Sequence, residues 1–124
     1  MSESARTLFA TANGDAEQTA LLLDSSGAPL AGSYIDQNGR DISSEIGAAL
    51  SGVSKEVSRS MRLLSLGAWT AVVIETEAAT IALAPTTQDA VVLLASSSTV
   101  PLGLVRRVLT RSIALAINWM SGRA

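Results

Sequence analysis

The sequence predicts an α+β domain: five strand-like runs in an antiparallel sheet, a long helix after the first hairpin and a second helix at the C-terminus. Three observations carry this. Two apolar runs flank the turn Asp24-Ser25-Ser26-Gly27-Ala28-Pro29, which reads as a tight hairpin. Between Ile42 and Leu66 apolar residues recur at steps of three and four, the period of a helix with one buried side. Three more Val-, Ile-, Leu- and Ala-rich runs follow at short spacing, which implies a meander.

Each element has its own signal. Ser4 to Ala12 reads as a short helix with Leu8 and Phe9 turned inward, stopped by Asn13-Gly14-Asp15. This forms an N-terminal segment, residues 1–18, ahead of a domain covering 19–124. Thr19 to Asp24 is a strand whose run Leu21-Leu22-Leu23 suits a central position covered on both faces. Leu30 to Ile35 returns from the turn, and Gly32 and Ser33 interrupt it as at an edge. In the long helix, Ile42, Ile46, Ala49, Leu50, Val53, Val57, Met61 and Leu64 form the apolar stripe. Asp41 is placed to cap it, Glu45 suits its first turn, and Gly67 supplies the stop. Ala48 and Gly52, read as flanking the stripe, would let a second helix approach closely.

Trp69 to Thr76 is a β-branched strand. Thr80 to Ala84 alternates, with Ile81 and Leu83 on one face and Ala82 and Ala84 on the other. Ala90 to Ala95 is a second continuous apolar run, again a central strand. The last helix starts near Ser98 or Thr99 with Pro101 in its first turn. Its expected buried stripe is Leu102, Val105, Leu109, Ile113, Ala116 and Met120, leaving Arg106, Arg107 and Arg111 outside.

Composition narrows the function. A chain of 124 residues is one domain on length. Charged residues make up 16 %, against an average of about 25 %. A small domain has much surface to cover, so this shortage implies that a second subunit covers part of it. A net charge of −2 without a block of one sign argues against nucleic acid. Cysteine is absent, which removes disulfides and thiolate chemistry and suits a reducing compartment. The start Met1-Ser2-Glu3-Ser4 lacks a signal-peptide pattern. The longest uncharged stretch, Ala90 to Val105, is broken by Ser96-Ser97-Ser98-Thr99 and Pro101, so no membrane span is expected. A soluble cytoplasmic protein is the simplest reading.

Catalytic groups are nearly missing. Without histidine or cysteine no Ser–His–Asp triad or Cys–His pair exists. Ser51 with Lys55 as base, one turn away, is formally possible, but a solvated lysine on the polar side of the helix is by far the better reading. Asp36, Asn38 and Asp41 share a loop, but not with the spacing of a calcium site. Glu75 and Glu77 read as two solvated acids at a strand end. Asp24-Ser25-Ser26-Gly27 spells a GTPase-like D-x-x-G, yet no phosphate-cradling loop accompanies it, and a hairpin glycine explains it better. No catalytic residue, cofactor or metal is expected. Arg106, Arg107 and Arg111 form the one cationic cluster; Arg107 and Arg111, a turn apart, project together. They read first as a solvated helix face with stems over apolar surface, next as a dock for an acidic partner, and last as an arginine finger on a bound GTP. Trp69 and Trp119 read as core or interface anchors.

The run Leu22-Leu23-Asp24-Ser25-Ser26-Gly27 with Pro29-Leu30-Ala31-Gly32, then Ile81-Ala82-Leu83-Ala84-Pro85, then Leu102-Gly103-Leu104-Val105-Arg106, resembles the Roadblock family. That family includes the dynein light chains of that name and many prokaryotic proteins linked to small GTPases. The resemblance spans residues 19 to 120 and rests on the order of the motifs. It implies a profilin-like, five-stranded antiparallel sheet with helices packed on it. It also implies a homodimer, or a heterodimer with a related chain, in which the middle helices pack antiparallel and the following strands pair edge to edge. The interface it implies comprises Ala48, Gly52, Val53 and Met61 on the helix and Val72 and Ile74 on the strand. The partner it implies is a Ras-like small GTPase, with Arg106, Arg107 and Arg111 as docking candidates. The chain departs from the family in its weak N-terminal helix. A nucleotide-independent structural adaptor and a small-ligand sensor are the rival expectations.

Overall fold

The computed structural model describes residues 1–10, 18–87 and 89–122. Its elements are α1 (Glu3–Arg6), β1 (Gln18–Leu23), β2 (Pro29–Gly32), α2 (Ser43–Leu63), β3 (Val72–Glu75), β4 (Ala79–Pro85), β5 (Val91–Ser97) and α3 (Leu102–Ser121). The strands form one antiparallel sheet in the order β2-β1-β5-β4-β3. The two continuous apolar runs, β1 and β5, are neighbours inside the sheet, with Leu21 opposite Leu93 and Leu22 opposite Val92. Each is buried on both faces, as its lack of alternation predicts. β2 and β3 are the edges.

Alternation divides the sheet into two cores. Ala20, Leu22, Ala82, Ala84, Val92 and Leu94 point to the side covered by α1 and α3. Leu21, Leu23, Leu83, Leu93 and Ala95 point to the side of α2. The α3 side is closed: Val105, Val108, Leu109, Ser112 and Ala116 are buried. Phe9, 2 % exposed, and Ala5 join the same core; α1 spans Glu3–Arg6, and the end of the helix expected over Ser4 to Ala12 lies outside the described residues. The expected stop at Asn13-Gly14-Asp15 lies outside the described residues.

The buried line on α3 differs from the stripe expected from sequence. Leu102 stays 39 % exposed, and Val108 and Ser112 take inward positions instead. Ser112 can be buried because its hydroxyl donates to the Val108 carbonyl at 2.8 Å. Pro101 stands just before the helix, extended at φ −60° and ψ 142°, rather than in its first turn. Its carbonyl accepts the N–H groups of Leu104 and Val105.

The hairpin and α2 meet backbone to backbone. Asp24 Oδ1 accepts from the Ser26 and Ala28 N–H groups, both at 2.9 Å, and from the Ser26 hydroxyl at 2.7 Å. This turns the chain through Gly27 at φ +88°, where a β-carbon would strike the Gly47 carbonyl oxygen at 2.4 Å. The reciprocal β-carbon on Gly47 would lie 2.0 Å from the Gly27 carbonyl oxygen. At the start of α2, Asp41 Oδ1 accepts from the Ser43 N–H at 2.9 Å, and the Ser43 hydroxyl accepts from the Tyr34 N–H at 2.8 Å. The cap position itself is Ile42.

The end of α2 is a second correction. Helix stops at Leu63, and Ser65, at φ +57°, closes it; Gly67 is also at positive φ, +86°, but lies two residues further on. The Ser65 N–H reaches the Arg62 carbonyl, and the Leu66 N–H reaches Met61, the paired bonds of a Schellman cap. The strands expected at 30–35 and 69–76 are also shorter. β2 ends at Gly32, whose φ of +78° brings its backbone against Ala20, and Trp69 lies before β3.

Two substitutions separate these effects. Gly47→Ala gains up to about 1 kcal/mol of helix propensity, but its methyl meets backbone that cannot swing aside. Urea unfolding should therefore show a net loss of about 1–3 kcal/mol; a more stable variant would mean that α2 is not seated on the turn. Ser65→Gly relieves left-handed backbone and should add about 0.5–1 kcal/mol in the same measurement.

Candidate functional site

The residues considered for chemistry are occupied with local structure. Asp36 Oδ1 accepts the N–H groups of Asn38 at 2.9 Å and Arg40 at 3.0 Å, and Asp41 is bound to Ser43. Both close turns. The Ser51 hydroxyl donates to the Ala48 carbonyl at 3.2 Å. Glu75 ends β3 and Glu77 lies in the following turn, both exposed. Among the described residues no three His, Cys, Asp or Glu side chains gather as metal ligands. Nor is any helix among them long and apolar enough to cross a membrane.

The informative surface is the half-covered side of α2. Only Ser43 and Gly47 of this 21-residue helix are fully buried. Gly47, Ser51, Ser54 and Ser58 recur at steps of three and four, so a small and polar line of the helix sits toward the turn end of the sheet. Its apolar stripe lies to one side of that line. Ile46, Leu50 and Val53 pack against Leu21, Leu23, Leu83, Leu93 and Ala95, yet each remains part-exposed. Val57 and Met61 are also half-buried.

Val72 packs on the same core from β3, and Ile74, opposite Ile81, shares its face by the pleat. Val53 and Val72 therefore meet on one core, with Met61 and Ile74 continuing the band. Ala48 and Gly52 do not join it. Both are exposed on the far side of α2 from the stripe, and a β-carbon on Gly52 would meet nothing within 4 Å. At the helix end and just beyond it, Leu63, Leu64 and Leu66 are 72 %, 63 % and 67 % exposed. The one-residue steps in that run put leucines outside any single stripe.

β3 adds an edge to this band. It pairs only with β4 among the described residues, so its outer side carries unpaired backbone donors and acceptors. The opposite edge, β2, is four residues long and begins with Pro29. Among the described residues, only β3 offers a β-branched edge beside a half-open apolar band.

Arg106, Arg107 and Arg111 are exposed on α3, facing away from the buried line through Val105, Val108, Leu109, Ser112 and Ala116. No carboxylate lies within ion-pair distance of them among the described residues, and α3 itself contains no acid. The long stems of these side chains leave the charges in water.

No protein-family model matches the sequence, and no curated protein matches it. Solved structures do match the fold over nearly its whole length. A Roadblock/LC7 domain from Streptomyces avermitilis superposes with a TM-score of 0.79 at 13 % identity, covering 94 % of this chain and 97 % of that one. The gliding protein MglB from Thermus thermophilus gives 0.74 at 17 % identity, covering 95 % and 92 %. Acanthamoeba castellanii profilin IB gives 0.60 at 15 % identity, covering 94 % and 98 %. The chain has the Roadblock/LC7 fold, with the related architecture of profilin at greater distance.

The acids of the turns set the response to pH. The Ser26 hydroxyl, then the Ala28 N–H, holds the Asp24 carboxyl below its ordinary 3.8; the Ser43 hydroxyl and N–H do the same for Asp41. A folded pKa below the unfolded one gives stability that is present above 3.8 and lost as pH falls through the folded values. Urea midpoints should fall as pH drops below about 4. Asp24→Asn should be less stable at neutral pH and should show a shallower acid decline. An unchanged decline would remove Asp24 from its cause.

Proposed function

We propose that this chain is a non-enzymatic, homodimeric, cytoplasmic module that binds a Ras-like small GTPase and regulates or positions it. The observation that carries this is the half-covered apolar band of α2 lying beside the unpaired edge of β3. A helix that leaves its stripe half in water is stabilised when a second copy covers it. An edge strand rich in Val and Ile is protected from aggregation by pairing with the same strand of that copy. One twofold axis satisfies both demands, since an isologous contact brings each surface against its own equivalent.

In this reading Val53, Met61, Val72 and Ile74 lie in the dimer contact. Ala48 and Gly52, placed away from the band, lie outside it. The Roadblock/LC7 fold supports the GTPase assignment by its association with such partners. The exposed Arg106, Arg107 and Arg111 supply the charge to steer an acidic partner surface. The absence of histidine and cysteine from the sequence leaves binding by shape and charge as the mode of action.

Sedimentation should give a dimer at micromolar concentration, and Val53→Asp should shift it to a folded monomer. A variant that stays dimeric would place the contact elsewhere. For the partner, affinity capture from lysate with GDP and with a non-hydrolysable GTP analogue should retain a small GTPase in one nucleotide state. Arg107→Glu with Arg111→Glu should weaken that association about tenfold while leaving the dimer intact. Equal capture in both nucleotide states, or of assembly proteins without a GTPase, would favour a structural adaptor.

A further inference from the structure

The other side of α2 carries a groove that neither the dimer nor the GTPase reading uses. It runs between α2 and the connection from β4 to β5, as two overlapping hollows of about 590 and 420 Å3. Ser58, Arg62, Trp69 and Thr86 line both; Lys55 and Asp89 lie at the end nearer the hairpin turn. The Trp69 indole N–H donates to the Ser58 hydroxyl at 2.7 Å, which fixes the ring against the helix as one wall. The ring remains part-exposed.

Charge points to the occupant. Lys55 and Arg62 are two turns apart on α2 and hence on the same side of it. No carboxylate lies within ion-pair distance of either among the described residues. The two ion pairs among those residues, Arg40 with Glu45 and Arg59 with Glu56, lie outside the groove lining. Asp89 is the single acid of that lining, at the Lys55 end. The Arg62 end therefore carries an unopposed cation beside an aromatic wall.

We propose that this groove binds an extended acidic segment of a partner protein, with carboxylates three residues apart and an apolar side chain between them on Trp69. The spacing follows from the helix. Seven residues of α2 rise about 10 Å, and three residues of an extended polyproline-II chain span about 9 Å and bring side chains i and i+3 to one side. One carboxylate meets Arg62 and the other meets Lys55. The Ser58 hydroxyl, which accepts from the Trp69 indole, can donate its own proton to a peptide carbonyl. An open groove accepts a chain passing through, whereas a small ligand would require closer enclosure. The cations of the groove and the apolar stripe occupy different sides of α2, while Trp69 packs on the core that Val53 and Val72 share.

The test uses the intact chain and a capped hexapeptide with glutamates three apart around a leucine. With two tryptophans in the sequence, two indole N–H signals are expected in a proton–nitrogen correlation spectrum. Titration should move the Trp69 signal and leave Trp119 in place. Calorimetry should give weak binding that declines with salt. Arg62→Ala or Lys55→Ala should each weaken it about threefold, and the pair about tenfold. The glutamine version of the peptide, and one with adjacent glutamates, should bind at least threefold less well. No movement of the Trp69 signal at about 5 mM peptide, unchanged affinity in the double alanine variant, or equal binding of the adjacent-glutamate peptide would each overturn the proposal. A groove covered by a second copy would give the first of these results, and counts against it.

Discussion

The close approach of the hairpin turn to α2 sets the plan of the molecule's interactive side. Gly27 and Gly47 touch through carbonyl oxygens and α-carbons, with no room for a β-carbon on either. The contact needs two glycines, an Asp24 turn that holds Gly27 at positive φ, and a helix start tied to Tyr34 through Ser43. It fixes α2 near its first turns. From there the helix presents a serine line toward the sheet end, an apolar stripe to one side and two cations to the other. Move that anchor, and both candidate binding surfaces change together.

The two faces of the sheet are finished to different degrees. On the α3 side five helical residues are buried, and even the serine among them satisfies its hydroxyl within the helix. On the α2 side the sheet residues Leu21, Leu83 and Leu93 are sealed while every large apolar residue of the helix stays part-exposed. A core that is complete on the sheet and incomplete on the helix fits a chain that folds alone and then associates. The low share of charged residues tells the same story from composition.

Much of this was legible in the sequence because burial on both faces of a strand leaves a plain mark. Leu21-Leu22-Leu23 and the Ala90 to Ala95 run announced the two inner strands, and the alternation of Ile81 to Ala84 assigned each residue to its core. The long helix was equally plain from its period. The errors came where backbone geometry or a satisfied polar group decides. Ser65 closes α2 in a left-handed conformation two residues ahead of Gly67, which is also at positive φ. Ser112 hides its hydroxyl and so enters the core as a small residue. Ala48 and Gly52 were read as flanking the apolar stripe, whereas both are exposed away from it, and the α2 glycine in close contact within the chain is Gly47, next to Ala48. A shift of one residue turns a helical side chain by about 100°, so small size without phase does not locate a close contact.

The same phase argument explains why the groove escaped a reading by motif. Lys55 and Arg62 are ordinary polar-side residues of an amphipathic helix, and Trp69 follows the helix in a connection, where sequence suggests an anchor. Their relation appears once the helix lies across the sheet and Ser58 holds the indole. Two surfaces on opposite sides of one helix also have a consequence under twofold symmetry. If the apolar sides face each other across the axis, the basic sides face outward, one groove on each subunit. The Arg106, Arg107 and Arg111 face lies on the other side of the sheet. A dimer so arranged presents cations on distinct surfaces while its apolar band is covered. An acidic partner then has several places to dock without competing with assembly.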